Sequence, residues 1–117
     1  MRESTYNVEE NKKNVVYTSN TLVQDMISCI GDDIERIDAR VLEPACGDGN
    51  FLDAILKNKL NSVAKKYKHS RIDFEFYILR ALMSLYGVEI EAETVKTCQE
   101  RLALTTKEFY CQEYSEE

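Results

Sequence analysis

Apolar residues recur along the chain at two different spacings, and the changes between them mark its elements. Leu22, Val23, Met26, Ile27 and Ile30 fall on one side of a 3.6-residue period, which predicts a helix over residues 20–30. Thr18, Ser19 and Asn20 can each cap its first turn, and Gly31 suits its end. Residues 39–43, Ala-Arg-Val-Leu-Glu, read as a short strand closed by Pro44, which cannot donate to a ladder. A second helix, over 51–67, carries its stripe on Leu52, Ile55, Leu56, Leu60, Val63, Ala64 and Tyr67, with Lys57, Lys59, Lys65 and Lys66 expected on its other faces. A third, over 73–85, is apolar nearly all round and so calls for cover on more than one side. Residues 86–90, Tyr-Gly-Val-Glu-Ile, read as a second strand. Ala92, Val95, Cys98 and Leu102 then make the stripe of a helix over 92–104, which the acidic tail can prolong.

Strand, glycine loop, helix, strand and helix in that order predict an α/β chain in which parallel strands are flanked by helices. Two strands make an incomplete sheet, and open strand edges call for a partner chain or for self-association into a homo-oligomer. The first 14 residues are polar and aperiodic and are expected to form an arm, with residues 15–117 as one domain.

Composition narrows the classes. No run approaches the roughly 20 apolar residues that span a bilayer, and the first residues lack the apolar core of a signal peptide, so a cytoplasmic protein without membrane contact is expected. Cys29, Cys46, Cys98 and Cys111 are scattered and His69 is the sole histidine, a pattern that gives no zinc spacing and suits free thiols in a reducing compartment. The formal net charge of −6 makes the chain a poor main grip for DNA phosphates. The basic stretch from Lys57 to Arg71 reads as a solvated helix face, and Tyr77 and Tyr86 read as core residues rather than stacking platforms.

The chemistry concentrates in Glu43-Pro44-Ala45-Cys46-Gly47-Asp48-Gly49-Asn50-Phe51-Leu52. An acid at a strand tip precedes two glycines and a helix start. The glycines permit a tight turn and close approach of a ligand to backbone, and the amides around Asn50 and Phe51 carry the positive end of a helix. Glu43 offers a carboxylate to an ammonium group. A dinucleotide fingerprint requires a third glycine where Leu52 stands, which disfavours NAD and FAD. Further on, Glu89 ends the second expected strand and can accept ribose hydroxyls.

The first segment resembles motif I of the amino-group DNA methyltransferases, (D/E)-P-A-C-G-x-G-x-F, almost in full. Tyr86-Gly87-Val88-Glu89-Ile90 is similar to their motif II. Val16-Tyr17-Thr18-Ser19 is similar to their motif X, with Ser19 in place of the usual proline. The resemblance implies a partial Rossmann-like class I methyltransferase fold that binds S-adenosyl-L-methionine. It assigns the methionine end to Glu43 and Thr18, the loop to Pro44, Ala45, Cys46, Gly47, Gly49, Asn50 and Phe51, the ribose to Glu89 and the adenine to Ile90. Capping alone also accounts for Thr18. The implied activity is site-specific adenine-N6 methylation of DNA within a restriction-modification system, with DNA as substrate of the complete enzyme.

That reaction uses an (N/D/S)-P-P-(Y/F/W) motif on the flipped base. With one proline in the whole sequence, the chain has no such motif and no assignable catalytic residue. It is therefore expected to be the N-terminal, cofactor-binding portion of an enzyme, inactive alone. The alternatives are one half of a split enzyme, or a non-catalytic subunit or interaction protein reusing the fold.

Overall fold

The computed structural model describes residues 19–32, 36–43 and 46–114. Its elements are α1 (Asn20–Ile30), β1 (Val41–Glu43), α2 (Asn50–Tyr67), α3 (Arg71–Met83), β2 (Leu85–Gly87) and α4 (Ala92–Tyr114). The expected polar arm lies outside the described residues. Ser19 caps α1 by accepting from the Leu22 amide at 3.2 Å, and Gly31 ends it. Ser70 caps α3 in the same way through Asp73. The last helix runs ten residues past the expected 104, because Phe109, Tyr110 and Tyr114 continue to find apolar partners.

α2 is the central element, in contact with α1, α3, α4 and β2. Leu56, Leu60 and Val63 from α2 meet Phe74, Ile78 and Ala81 from α3 and Ile37 from the preceding loop in one buried cluster. Phe74 sits at its centre. The Tyr114 ring meets it edge-on at 4.9 Å, and Phe109 stacks at 6.0 Å. Val23 and Ile27 of α1 close on Ile55 in a smaller cluster, against which Val41, Phe51 and Leu85 pack. At the far end of the bundle the Tyr114 hydroxyl donates to the Lys68 carbonyl, and Lys68 pairs with Glu113 at 2.6 Å.

β1 and β2 pair in parallel, with Val41 opposite Leu85, Leu42 opposite Tyr86 and Glu43 opposite Gly87. Alternation sends Val41 and Leu85 to the core, while Leu42, at 66% exposure, and Tyr86 share a face that no described element covers. The partial Rossmann-like α/β fold expected above is thus not what the chain builds, although the incomplete sheet of two parallel strands is present. Helix accounts for 73% of the described residues, and among them the sheet is two parallel strands of three residues. Between the strands the described chain forms two helices, and from residue 92 to 114 a third. The protein is a helical assembly with a parallel β-ribbon along one side.

Three further expectations change. α3 receives cover on one side only, leaving Ile72, Phe76, Leu79 and Met83 exposed. Tyr86 is half exposed rather than core. Lys59 is fully buried, whereas Lys57, Lys65 and Lys66 face solvent as the pattern indicated. Its ammonium donates to the carbonyls of Arg36 (2.8 Å), Ile37 (3.1 Å) and Ala39 (2.6 Å), which satisfies all three protons. The lysine thereby clamps the segment leading into β1 onto α2, and burial lowers its pKa to about 8. Among the described residues no helix is long and apolar enough to cross a membrane.

Candidate functional site

The carboxyl ends of the two strands and the glycine loop form one corner of the molecule. The ladder continues past the strands: the Val88 amide donates to the Glu43 carbonyl and the Cys46 amide to the Val88 carbonyl, both at 3.0 Å. This stitches the start of the loop to the segment carrying Glu89. Glu89 then reaches back across the gap. Its Oε2 accepts from the Gly47 amide at 3.0 Å, and its Oε1 accepts from the amides of Ile90 (3.0 Å) and Glu91 (3.3 Å). A carboxylate offers about four acceptor positions, so Glu89 retains capacity for one further donor.

Glu43 stands at the neighbouring tip. Burial pushes the Cys46 thiol pKa up, and the charges of Glu89 and Glu43 push it further. Cys98 of α4 touches the Cys46 thiol from the opposite side. Burial, with Cys46 and Asp48, raises its own pKa to about 11. Neither sulfur carries the thiolate a nucleophile needs. They are packing groups.

The turn depends on backbone geometry that only glycine adopts without strain. Gly47 has φ 53°, and a Cβ there would meet nothing within 4 Å, so this side of the loop is open. Gly49 has φ 87°, and a Cβ there would come within 2.6 Å of the Cys98 sulfur. Asp48 accepts from the Asn50 amide at 3.2 Å and so caps the entry to α2.

The structure brings together Glu43, Cys46, Gly47, Gly49, Asn50 and Glu89 from the sequence-derived set. Thr18, Pro44 and Ala45 lie outside the described residues. Phe51 turns inward, packing against the Val23, Ile27 and Ile55 cluster. Ile90 is 97% exposed, the barest large apolar side chain among the described residues. The second strand ends at Gly87, so Glu89 sits two residues beyond it rather than at its end. That displacement is what lets its carboxylate bend back to Gly47.

Sequence reasoning missed the support around the loop. Arg101 of α4 pairs with Asp48 at 3.2 Å and Asp53 at 3.8 Å and donates to Asn50 Oδ1 at 3.4 Å. Asp53 is buried and also accepts from Thr105. Gly87 permits the approach of Cys46, since a Cβ there would come within 2.9 Å of its sulfur. The Asp between two glycines was a readable capping signal. Nothing local marked Arg101, which lies about 50 residues from its partners.

The corner therefore offers two carboxylates at adjacent strand tips, an open glycine turn and a bare aliphatic side chain just beyond. No family model matches this chain, and neither a curated protein nor a solved structure does.

Proposed function

We propose that the strand-tip corner binds S-adenosyl-L-methionine and that the chain is the cofactor-binding portion of a DNA adenine-N6 methyltransferase. The observation that carries this reading is the contact of Glu89 with the Gly47 amide. It brings the second sequence motif onto the first, although 42 residues separate them. The bound cofactor would supply an electrophilic methyl group. The chain's own residues hold and orient: Glu43 takes the ammonium end, the remaining acceptor position of Glu89 takes one ribose hydroxyl, and Ile90 lies against the adenine, which would explain an isoleucine left in water. The open side of Gly47 lets a ligand reach the backbone.

No residue here is assigned to base binding or methyl transfer, since the single proline of the sequence leaves no two-proline motif. DNA is the substrate of the complete activity and is met through another domain or chain. The uncovered strand face and the exposed side of α3 favour a partner chain over a chain working alone. Four free thiols suit a reducing, cytoplasmic setting.

Calorimetric titration with S-adenosylhomocysteine is the direct test. Binding is expected, weakened at least about ten-fold in E89Q by loss of a charged hydrogen bond. A folded protein that gives no heat with this ligand would end the reading.

A further inference from the structure

α3 carries apolar residues on two opposite sides. Phe74, Ile78 and Ala81 face the core, while Ile72, Phe76, Leu79 and Met83 point outward at 81%, 52%, 56% and 71% exposure. The outward residues are spaced four, three and four apart, so they form one stripe along the helix. That alternation is the seam of a paired helix, whose side chains interlock with those of a facing helix. Single exposed apolar residues need no explanation, but a continuous stripe does. Helices as short as α3 rarely pair in isolation, because forming the helix costs more than the seam returns. α3 bears no such cost, since Ser70 caps it and its inner side is already packed on α2.

The charges beside the stripe point to a second copy of this chain as its occupant. Asp73 and Arg80 follow Ile72 and Leu79 directly, so they lie on the same flank of the stripe. In an antiparallel pair related by a two-fold axis, Phe76 meets the partner's Leu79 and Ile72 the partner's Met83. Like flanks then face each other, and each Arg80 comes beside the partner's Asp73. Arg80 can exchange partners at little cost, because it reaches Asp38 only at 3.7 Å with both side chains at least half exposed. A parallel pair would turn Arg80 toward the partner's Glu75, which already accepts from Arg71 at 3.1 Å and Tyr110 at 2.6 Å. The antiparallel order also sets the helix dipoles against each other favourably. A contact of one helix face per copy falls near the lower bound of about 1,200 Å² for stable complexes, so the pairing should be reversible.

We propose that two copies of this chain pair antiparallel through the outer stripe of α3, with Phe76 against the partner's Leu79 and Arg80 beside the partner's Asp73.

Sedimentation equilibrium of the full chain over a concentration series is the test. The mass should rise from that of one chain toward that of two. F76E/L79E alters two residues that already face solvent, so the circular dichroism spectrum should hold while pairing weakens at least about 100-fold. R80D should weaken pairing about ten-fold, and adding D73R should restore it. L42S, on the uncovered strand face, and E89Q, at the strand-tip corner, should leave it unchanged. The proposal is overturned if the chain stays monomeric up to about 0.5 mM, if F76E/L79E pairs as tightly as wild type, or if L42S rather than F76E/L79E abolishes pairing. Rescue of R80D by E75R in place of D73R would overturn the antiparallel arrangement.

Discussion

The two ends of α2 are built on different terms. Toward its carboxyl end, Leu56, Leu60, Val63 and Phe74 have no exposure at all, and aromatic rings from α4 close the cluster. Toward its amino end, the chain presents a strand face with Leu42 outward, a glycine turn held by polar contacts, and Ile90 in solvent. The first region gains stability from apolar burial, which is insensitive to small changes in direction. The second is held by hydrogen bonds and ion pairs, which fix direction but add little net free energy. Apolar burial and directional polar contacts are thus concentrated at opposite ends of one helix.

Substitutions should separate the two. The largest effect is expected for F74A, which empties the centre of the aromatic cluster and should lower unfolding free energy by about 3–5 kcal/mol in a denaturant titration. G49A comes next, at about 3 kcal/mol, from its left-handed backbone and the clash with Cys98. If the clash is real, adding C98A should recover part of that loss relative to C98A alone.

Lys59 gives a pH signature. Its folded pKa of about 8 lies below the unfolded value of 10.5, so the unfolded chain holds more protons between these limits. Stability supplied by this group rises with pH across that window and is lost as pH falls through 8. Relative to K59M, the wild type should gain up to about 3 kcal/mol between pH 8 and 10.5. Cys98 titrates with the opposite sign from 9 to about 11, but it is present in both proteins and cancels in the difference. A flat difference across the window would show that the ammonium is not buried as described.

Two smaller effects sharpen the contrast. E89Q keeps one carbonyl acceptor and should change unfolding free energy by no more than about 1 kcal/mol, while cofactor affinity falls. L42S, on the uncovered strand face, should stay within about 0.5 kcal/mol of wild type. A large loss there would mean that the face is covered in solution, and sedimentation would then reveal the partner copy.

How far the sequence foretold this structure depended on distance along the chain. The bounds of α1 were legible because its capping and terminating residues are local, but of its expected stripe only Val23 and Ile27 are buried, while Leu22, Met26 and Ile30 are exposed. The packing stripe of α2 was legible for the same reason. The fold class was not, because the two expected strands pair over only three residues each and helix–helix contact absorbs most of the buried apolar residues. Lys59 defied its pattern because three backbone carbonyls, contributed from outside its helix, replace the water it gave up. Arg101 was invisible since its acceptors lie half the chain away, and Glu89 was placed correctly in sequence but on a strand that stops short of it.

α4 spans both regions without interruption. Its Cys98 and Arg101 bear on the glycine turn, and some 20 Å further on its Phe109, Tyr110 and Tyr114 bear on Phe74. A rod anchored at both ends converts a tilt at one into a displacement at the other. The chain has no tryptophan, so its ultraviolet emission comes from tyrosines, two of which sit at the far tip of that rod. If the proposed ligand tilts α4 at the turn, the shift should be readable as a change in phenol fluorescence without any label.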